Sequence, residues 1–415
     1  MQVSHNMKHP RVSLYLNFKQ LFISIFKNYE ESKISIEKEF KKKIKKKYVH
    51  FTGMCRTSFL LILEYLSEKY PNKKEILICA YNLKELVDLA RLKNFKVIFV
   101  DINVDNGTVT KDLILKKITK NTSAVLFTHM FNNYSNLEEI SKICKINRIL
   151  LIEDVAIYYG NHSKNRYAGS LGDVSILSFG IMKNISAFFG GALLTNNKDI
   201  SQYARNRINN FQEFPFGVYF NKFLLFIILK FFLSSIIYNS FFFYIIKLGI
   251  IKNIFFINSK IYPALKFTRK KIIPKFYYSK ISNLSLKIIA TILKDKSFKK
   301  GTNLRKKNNK YFFNKLKNSR YVKIMPIQDY DFQNFLDFPI VVKNKRALAV
   351  YLLKKGLETR VHFYENCEDL VNNKKNNINS NYFENHLICL PSHGAINKSL
   401  IYKYCSEIEN FNKKK

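Results

Sequence analysis

The chain reads as an α/β protein: a mixed, mostly parallel sheet flanked by helices, a smaller C-terminal α+β domain, and an apolar helical insert between them. Three observations predict this. Short apolar runs bounded by Gly and polar residues alternate with helix-periodic segments through the first half. The 415 residues suffice for one large domain and a smaller one. The stretch Leu151 to Asn197, LIEDVAIYYGNHSKNRYAGSLGDVSILSFGIMKNISAFFGGALLTNN, reads strand, loop, strand, loop, strand. Composition divides the chain into an N-terminal arm (1–48), a large domain (49–210), the insert (211–270), and a connecting helix with the small domain (271–415).

In the arm, Phe18 to Phe26 is apolar at helical spacing, and Ile34 to Lys47 is a charged helix whose basic run FKKKIKKK reads as a solvated face. The loop His50 to Phe59 feeds the helix LLILEYLSEKY. A helix N-terminus offers unpaired N–H groups and a positive dipole end, which suits a phosphate; the plain alternative is an N-cap at Thr52 or Thr57. Glu75 to Asn82 reads as strand and turn, Leu83 to Lys93 as helix, and Phe95 to Asp101 as strand. Asp105 to Thr108 is a turn, and Ser123 to Thr128 a buried strand ending at His129.

The central stretch carries the chemistry. Leu150-Leu151-Ile152 ends in Glu153 and Asp154, Val174 to Phe179 forms the next run, and Lys183 follows five residues after Ser178. An acid at the end of one strand and a lysine beyond the next suit a cofactor that needs both. A lysine amine forms an imine with an aldehyde and later moves a proton, and a carboxylate facing a pyridine nitrogen keeps it protonated. Asp154, Gly169-Ser170-Leu171-Gly172-Asp173, Ser178-Phe179, Lys183-Asn184 and Gly190-Gly191, in this order and spacing, resemble the DegT/DnrJ/EryC1/StrS family of pyridoxal-phosphate sugar aminotransferases. The resemblance implies a fold-type-I transferase with pyridoxal 5'-phosphate as cofactor. It implies that Lys183 forms the Schiff base, Asp154 pairs with the ring nitrogen and Ser178 touches the phosphate.

Aligned on its arginine, the family's first glycine-rich motif places Cys55, Arg56 and Thr57 in the phosphate cradle, with Cys55 where Gly is usual. The family's stacking aromatic falls at Leu83, so either Tyr81 or an aliphatic face takes that role. His129 reads equally as a residue under the cofactor or an ordinary strand-end histidine, and Asn132 stands in for a left-handed glycine. The family's partner for the cofactor hydroxyl falls at Ile157, leaving Tyr158 or His162 as substitutes. Further on, Lys280 replaces an arginine, and Tyr278 an asparagine that in relatives reaches the cofactor phosphate of the other subunit.

Composition bounds the partners. Seventy Lys and Arg against thirty Asp and Glu give a formal charge of +40. Much of this follows a general excess of Lys, Asn, Ile and Phe. No zinc spacing, RNA-binding aromatic motif or basic zipper points to nucleic acid. The six scattered cysteines form no C-x-x-C pair, which argues against a metal site or disulfide framework and for a reducing compartment. The N-terminus has no apolar core before a small-residue cleavage site, hence no signal peptide is expected.

From Pro215 to about Leu265 the sequence turns oily, but its longest uncharged run, Phe231 to Ile246, is shorter than the ~20 residues of a spanning helix. Lysines 222, 230, 247 and 252 interrupt it, as expected for apolar helices lying at a membrane surface. A buried dimer surface, a flap over the active site and a true span are the other readings. In the small domain, Phe332 to Lys343 reads as strand, Arg346 to Lys355 as helix capped by Gly356, and Glu358 to Phe363 as strand. Arg360, His362 and His393 of Leu390-Pro391-Ser392-His393 are candidates for holding substrate or a donor carboxylate.

Together these readings imply a homodimeric aminotransferase. It would move an amino group, from glutamate, to a nucleotide-linked keto sugar for cell-surface polysaccharide synthesis, in the cytoplasm or on the inner membrane face. Another pyridoxal-phosphate reaction of lyase or dehydratase type, and a non-catalytic membrane-associated homologue, are the alternatives. Retention of Lys183, where the family's dehydratases carry histidine, favours transamination.

Overall fold

The structure is a computed structural model that describes residues 7–131, 135–163, 166–261, 267–325, 336–361, 364–371 and 375–413. The arm contributes α1 (Phe18–Ile25) and α2 (Tyr29–Ile44). Then come β1 (Tyr48–Thr52), α3 (Cys55–Lys69), β2 (Glu75–Cys79), β3 (Tyr81–Asn82), α4 (Lys84–Leu92), β4 (Lys96–Val100), α5 (Lys111–Leu115) and β5 (Thr122–Thr128). They are followed by α6 (Ser135–Ile146), β6 (Leu150–Asp154), the small pair β7 (His162–Ser163) and β8 (Arg166–Tyr167), β9 (Val174–Ser178), β10 (Gly191–Thr195) and α7 (Lys198–Asn209).

Seven of these strands form one sheet in the order β1-β10-β9-β6-β5-β2-β4. From β9 to β4 every pairing is parallel; β10 runs antiparallel to both β9 and β1. Side chains along a strand alternate between faces. Leu77, Val125, Phe127 and Leu151 therefore enter one core with the C-terminal part of the chain, while Ile76, Ile78, Leu126 and Ile152 meet α3 on the other. Both faces are covered, which is why these strands read as unbroken apolar runs.

The insert folds as α8 (Phe216–Phe232), α9 (Ser235–Ile237), a π-helical turn over Tyr238–Phe242, α10 (Phe243–Ile251) and α11 (Phe255–Ile261). Among the described residues no single helix is long and apolar enough to cross a membrane. The pair Phe216–Phe232 and Ser235–Ile251 has the length together but is bent by 64°. After the insert, α12 (Asn283–Lys294) and α13 (Lys296–Leu316) lead to a three-stranded antiparallel sheet of β11 (Val322–Ile324), β12 (Asp337–Val342) and β14 (Leu387–Pro391). Between its strands lie α14 (Lys345–Lys354), β13 (Glu365–Asn366), which pairs with β3, and α15 (Ile378–His386); α16 (Lys398–Lys413) closes the chain.

Three expectations are corrected. The described residues 358–361 of the expected strand Glu358–Phe363 form no strand: among them only Arg360 bridges Cys389, while β14 pairs with β12. The N-cap of α3 is Met54, not a threonine; the Thr52 hydroxyl donates to the Met54 carbonyl instead. The helix α2 ends at Ile44, and the basic run that continues past it is not wholly solvated, because Lys46 is buried and its amine donates to the carbonyls of Ser170 and Gly172. Asn132, His362 and the start of the Phe332–Lys343 stretch lie outside the described residues; the left-handed position next to Asn132 is Phe131, at φ +53°. Gly356 has φ +82° and ends α14 as its sequence suggests.

Candidate active site

The site lies at the C-terminal ends of the parallel strands, where open α/β sheets bind ligands. Neighbouring β6 and β9 run parallel, with Asp154 opposite Ile176, so Asp154 and Ser178 leave the sheet at the same edge. The turn beyond β9 carries Lys183, whose backbone N–H donates to Gly180 O at 2.9 Å. Asn184 fixes this turn. Its amide donates to Ile157 O (3.1 Å) and its oxygen accepts from the fully buried Arg305 of α13, whose guanidinium lies 4.7 Å from the Tyr15 ring.

The Lys183 side chain is half-buried, and its amine has no hydrogen bond or ion pair among the described residues. Burial pushes the amine below the usual lysine range. Asp154 and Cys55 favour its charged form, while Arg56 and Arg360 oppose it. These five side chains share one electrostatic environment. Asp154 is buried and shifted upward: burial outweighs the N–H of Ala156 (2.9 Å to Oδ1) and the charges of Lys183 and His129. Its other oxygen has no donor among the described residues. Burial and then Asp154 also push the Cys55 thiol upward, against Lys183 and Arg56.

The Gly190-Gly191 pair brings α3 to this edge. Gly190 has φ +135° and bridges Met54, and a side chain on Gly191 would overlap the backbone of Met54 and Cys55. The first N–H groups of α3 thus face the end of β9. The Ser178 hydroxyl is half-buried and has no protein partner among the described residues. Arg56 donates to the Tyr277 hydroxyl at 2.8 Å. The Thr57 hydroxyl donates to Tyr277 O at 2.5 Å and its backbone N–H to Met54 O at 3.1 Å, so a ligand at this turn would share the Thr57 N–H with Met54.

Other expected positions fall away from the cluster. Tyr81 is fully buried in the core, edge-on to Tyr364 with ring centroids 5.8 Å apart, and is not free to stack on a ligand. It fails because β3 pairs with β13, which turns the ring inward. Tyr364, unforeseen in the sequence, is the tyrosine that feels the Asp154 charge. The Tyr158 hydroxyl accepts from Phe131 N at 3.0 Å. His129 meets Glu153 at 2.7 Å. His393 contacts Pro10 O at 2.8 Å and holds the arm rather than the site. Arg360 Nε lies 3.0 Å from Asp337 in an ion pair not aligned as a hydrogen bond. Lys280 pairs with Glu213 at 3.3 Å on a separate cavity of about 460 Å³ lined also by Lys33, Lys41, His50 and Arg205. There burial, then Arg205, Lys33 and Lys41, lower the His50 pKa to about 4.

Glu153 was also missed. It accepts from the backbone N–H groups of Gly169 (2.8 Å), Leu171 (2.7 Å) and Gly172, besides its contact with His129. The Gly169–Asp173 motif is therefore a clamp around a buried carboxylate, not a ligand loop. The two glycines 169 and 172 flanking an acid-terminated strand were the available signal.

A lysine with no partner among the described residues, a buried acid whose charge it feels and a glycine-cleared helix N-terminus meet at the ends of the parallel strands, an arrangement that fits the fold of the fold-type-I transferases. The model of the DegT/DnrJ/EryC1/StrS aminotransferase family matches residues 24–214. The chain is 33% identical over 103 residues to GDP-perosamine synthase of Escherichia coli O157:H7, covering 25% of this chain and 28% of that protein. It is 30% identical over 131 residues to a UDP-4-amino-4,6-dideoxy-N-acetyl-beta-L-altrosamine transaminase of Campylobacter jejuni, covering 31% and 35%. The match thus spans about a third of the length of these relatives. In fold it is similar to Helicobacter pylori PseC, an aminotransferase involved in the biosynthesis of pseudoaminic acid. That likeness has a TM-score of 0.71 at 14% identity, over 98% of this chain and 100% of the other. It is also similar to E. coli GDP-4-keto-6-deoxy-D-mannose-3-dehydratase solved with bound hydrated PLP, at TM-score 0.71 and 18% identity, over 97% and 100%.

Proposed function

We propose that this protein is a pyridoxal-phosphate-dependent aminotransferase that moves an amino group, from glutamate, to the keto group of a nucleotide-linked sugar used in cell-surface polysaccharide synthesis. The observation that carries the reading is the free Lys183 amine, lowered in pKa, within electrostatic reach of the buried Asp154. A lysine whose charged form is disfavoured by burial bonds an aldehyde more readily. When bound, the cofactor supplies an electron sink that stabilises negative charge on the substrate carbon.

The chain's own residues do the rest. Asp154, through the oxygen left without a donor, holds a proton on the ring nitrogen. The α3 N-terminus at Cys55–Thr57, with Arg56 and the Ser178 hydroxyl, binds the phosphate. Lys183 Nζ would hold and move the proton at the substrate carbon. Arg360, ion-paired with Asp337 and felt by Lys183, is the charge that would suit a donor carboxylate. His129 acts through Glu153 rather than by touching ligand.

The same reading makes 49–210 the cofactor-binding domain, 1–48 an arm, 211–270 an insert, and 271–415 a connecting helix and small domain, in a cytoplasmic homodimer. Supporting the division, all seven strands of the large sheet fall between Tyr48 and Thr195, and the three-stranded sheet falls between Val322 and Pro391.

A second reading, a dehydratase-type reaction, draws on Ile157 and on 26% identity over 166 residues to the GDP-4-keto-6-deoxy-D-mannose 3-dehydratase of E. coli O55:H7. Purified protein with pyridoxal phosphate should show a visible absorption band that disappears in Lys183→Ala. With glutamate and a panel of keto-sugar nucleotides it should release 2-oxoglutarate and an amino sugar. A deoxy sugar without amine would move the assignment to the dehydratase reading. Absence of the band would make the chain a non-catalytic homologue.

A further inference from the structure

The insert leaves an unusual surface. From residue 214 to 294 the chain has twelve lysines and one arginine but no Asp or Glu, and residues 1–29 also lack any acid. All thirty carboxylates therefore lie elsewhere. These two acid-free segments, far apart in sequence, pack together. Phe18 of α1 meets Phe226 of α8 at 5.7 Å, and Lys230 donates to Leu14 O at 3.1 Å. Lys8 and Asn239 exchange hydrogen bonds of 2.7 and 3.0 Å.

The unit is anchored, not loose. Glu358 accepts from Arg11 (2.9 Å to its backbone N–H) and from the Tyr238 hydroxyl (2.6 Å), and its carbonyl accepts from Tyr404 (2.6 Å).

The helix α8 is apolar on two faces. Tyr219, Phe223 and Phe226 pack on Phe188, while Phe216, Phe220, Leu224, Ile228 and Phe231 form an exposed stripe at three- and four-residue spacing. Phe18, Phe22 and Phe26 repeat that spacing on α1 and are exposed, as are Phe241, Tyr244, Leu248, Phe255 and Phe256 on the rest of the insert. So large an apolar surface marks a docking site.

We infer that α1 and α8–α11 form a platform that docks on an anionic lipid bilayer, with the helices in the plane of the interface. The 64° bend denies a straight span, and the lysines among the aromatic residues are placed to reach headgroups. Charge selects the occupant. A second copy packed symmetrically through this face would set like charges against each other, whereas an anionic bilayer neutralises them. The docked platform lies beside the active site: Phe214, just before α8, packs on Gly53, and Lys222 sits 5.5 Å from the ring of Phe189, next to Gly190.

The test is flotation of the full chain with phosphatidylglycerol-containing vesicles. Wild type should float at low salt and less so at high salt. It should bind vesicles of phosphatidylcholine alone much more weakly. Leu224→Asp/Ile228→Asp, at positions 46% and 42% exposed, should lower partitioning about tenfold or more, and Phe22→Asp should also lower it. These variants should keep the visible band of bound pyridoxal phosphate, which separates failure of this proposal from failure of the enzymatic reading. Wild type that stays at the bottom with anionic vesicles would overturn the proposal even without folded variants. So would variants that float as well as wild type. A larger mass in vesicle-free solution, lost in the double variant without any flotation, would give the face to a second copy and equally overturn it.

Discussion

Glu153→Gln is the sharpest probe of how the site is held. Glu153 and Asp154 are sequence neighbours whose environments push them in opposite directions. For Glu153 burial acts upward, but the hydrogen bond and charge of His129, the Gly172 N–H and the Lys46 charge prevail and hold it below its ordinary 4.5. Its Oε1 accepts from Leu171 and Gly172, and its Oε2 from Gly169 and His129. An amide must place an NH2 on one side. The less costly choice faces Gly169, leaving one buried N–H unmet at about 1–3 kcal/mol. Losing the charge weakens the remaining bonds, for a total of about 3–5 kcal/mol. With unfolding entropy scaled to 415 residues this lowers Tm by about 3–6 °C if unfolding is one transition. The sign with pH follows from the depressed carboxyl: its stabilisation is full above the unfolded pKa and is lost as pH falls through the folded value. The gap between wild type and variant should therefore shrink in acid below about pH 4.5. Circular dichroism melts of the apo forms from pH 8 to pH 3 measure this. A Tm within about 1 °C of wild type at pH 7 would refute the clamp.

Three more outcomes are expected. Asp154→Asn should stabilise the apo protein at neutral pH while weakening pyridoxal-phosphate binding, because the buried carboxylate costs stability as pH rises from its ordinary value through its raised pKa. Its melting curve should converge with wild type below pH 3.8, the ordinary Asp value. Gly191→Ala, by driving Met54 and Cys55 off the sheet edge, should cost about 1–3 kcal/mol in apo stability and reduce cofactor affinity in a fluorescence titration. Asn184→Ala should leave the Arg305 guanidinium short of an acceptor, at about 1.5–3 kcal/mol by thermal melt, and lower kcat more than it raises KM.

The parallel core was readable because its strands are buried on both faces and appear as unbroken apolar runs between Gly and polar residues. Asp154, Ser178 and Lys183 were singled out by the spacing that carries the resemblance, and the fold brings Asp154 and Ser178 to one edge of the sheet with the Lys183 turn just beyond. What stayed hidden depends on partners remote in the chain. Nothing local distinguishes Lys46 from the other lysines of its run, and its burial comes from carbonyls more than a hundred residues away. The Arg305–Asn184 clamp spans a similar gap. Tyr81 looked like a ligand-facing ring until its two-residue strand found β13, and residues 358–361 looked like the start of a strand because apolar alternation cannot say whether a sheet edge is available.

Glu358 gathers Arg11 and Tyr238 on its carboxylate and Tyr404 on its backbone carbonyl. During synthesis that knot cannot be tied until nearly the last helix has left the ribosome. The oily segment around Tyr238 emerges more than a hundred residues earlier and must wait, bare, for its anchor. Chains truncated before Tyr404 should accordingly lean on chaperones or settle early onto lipid.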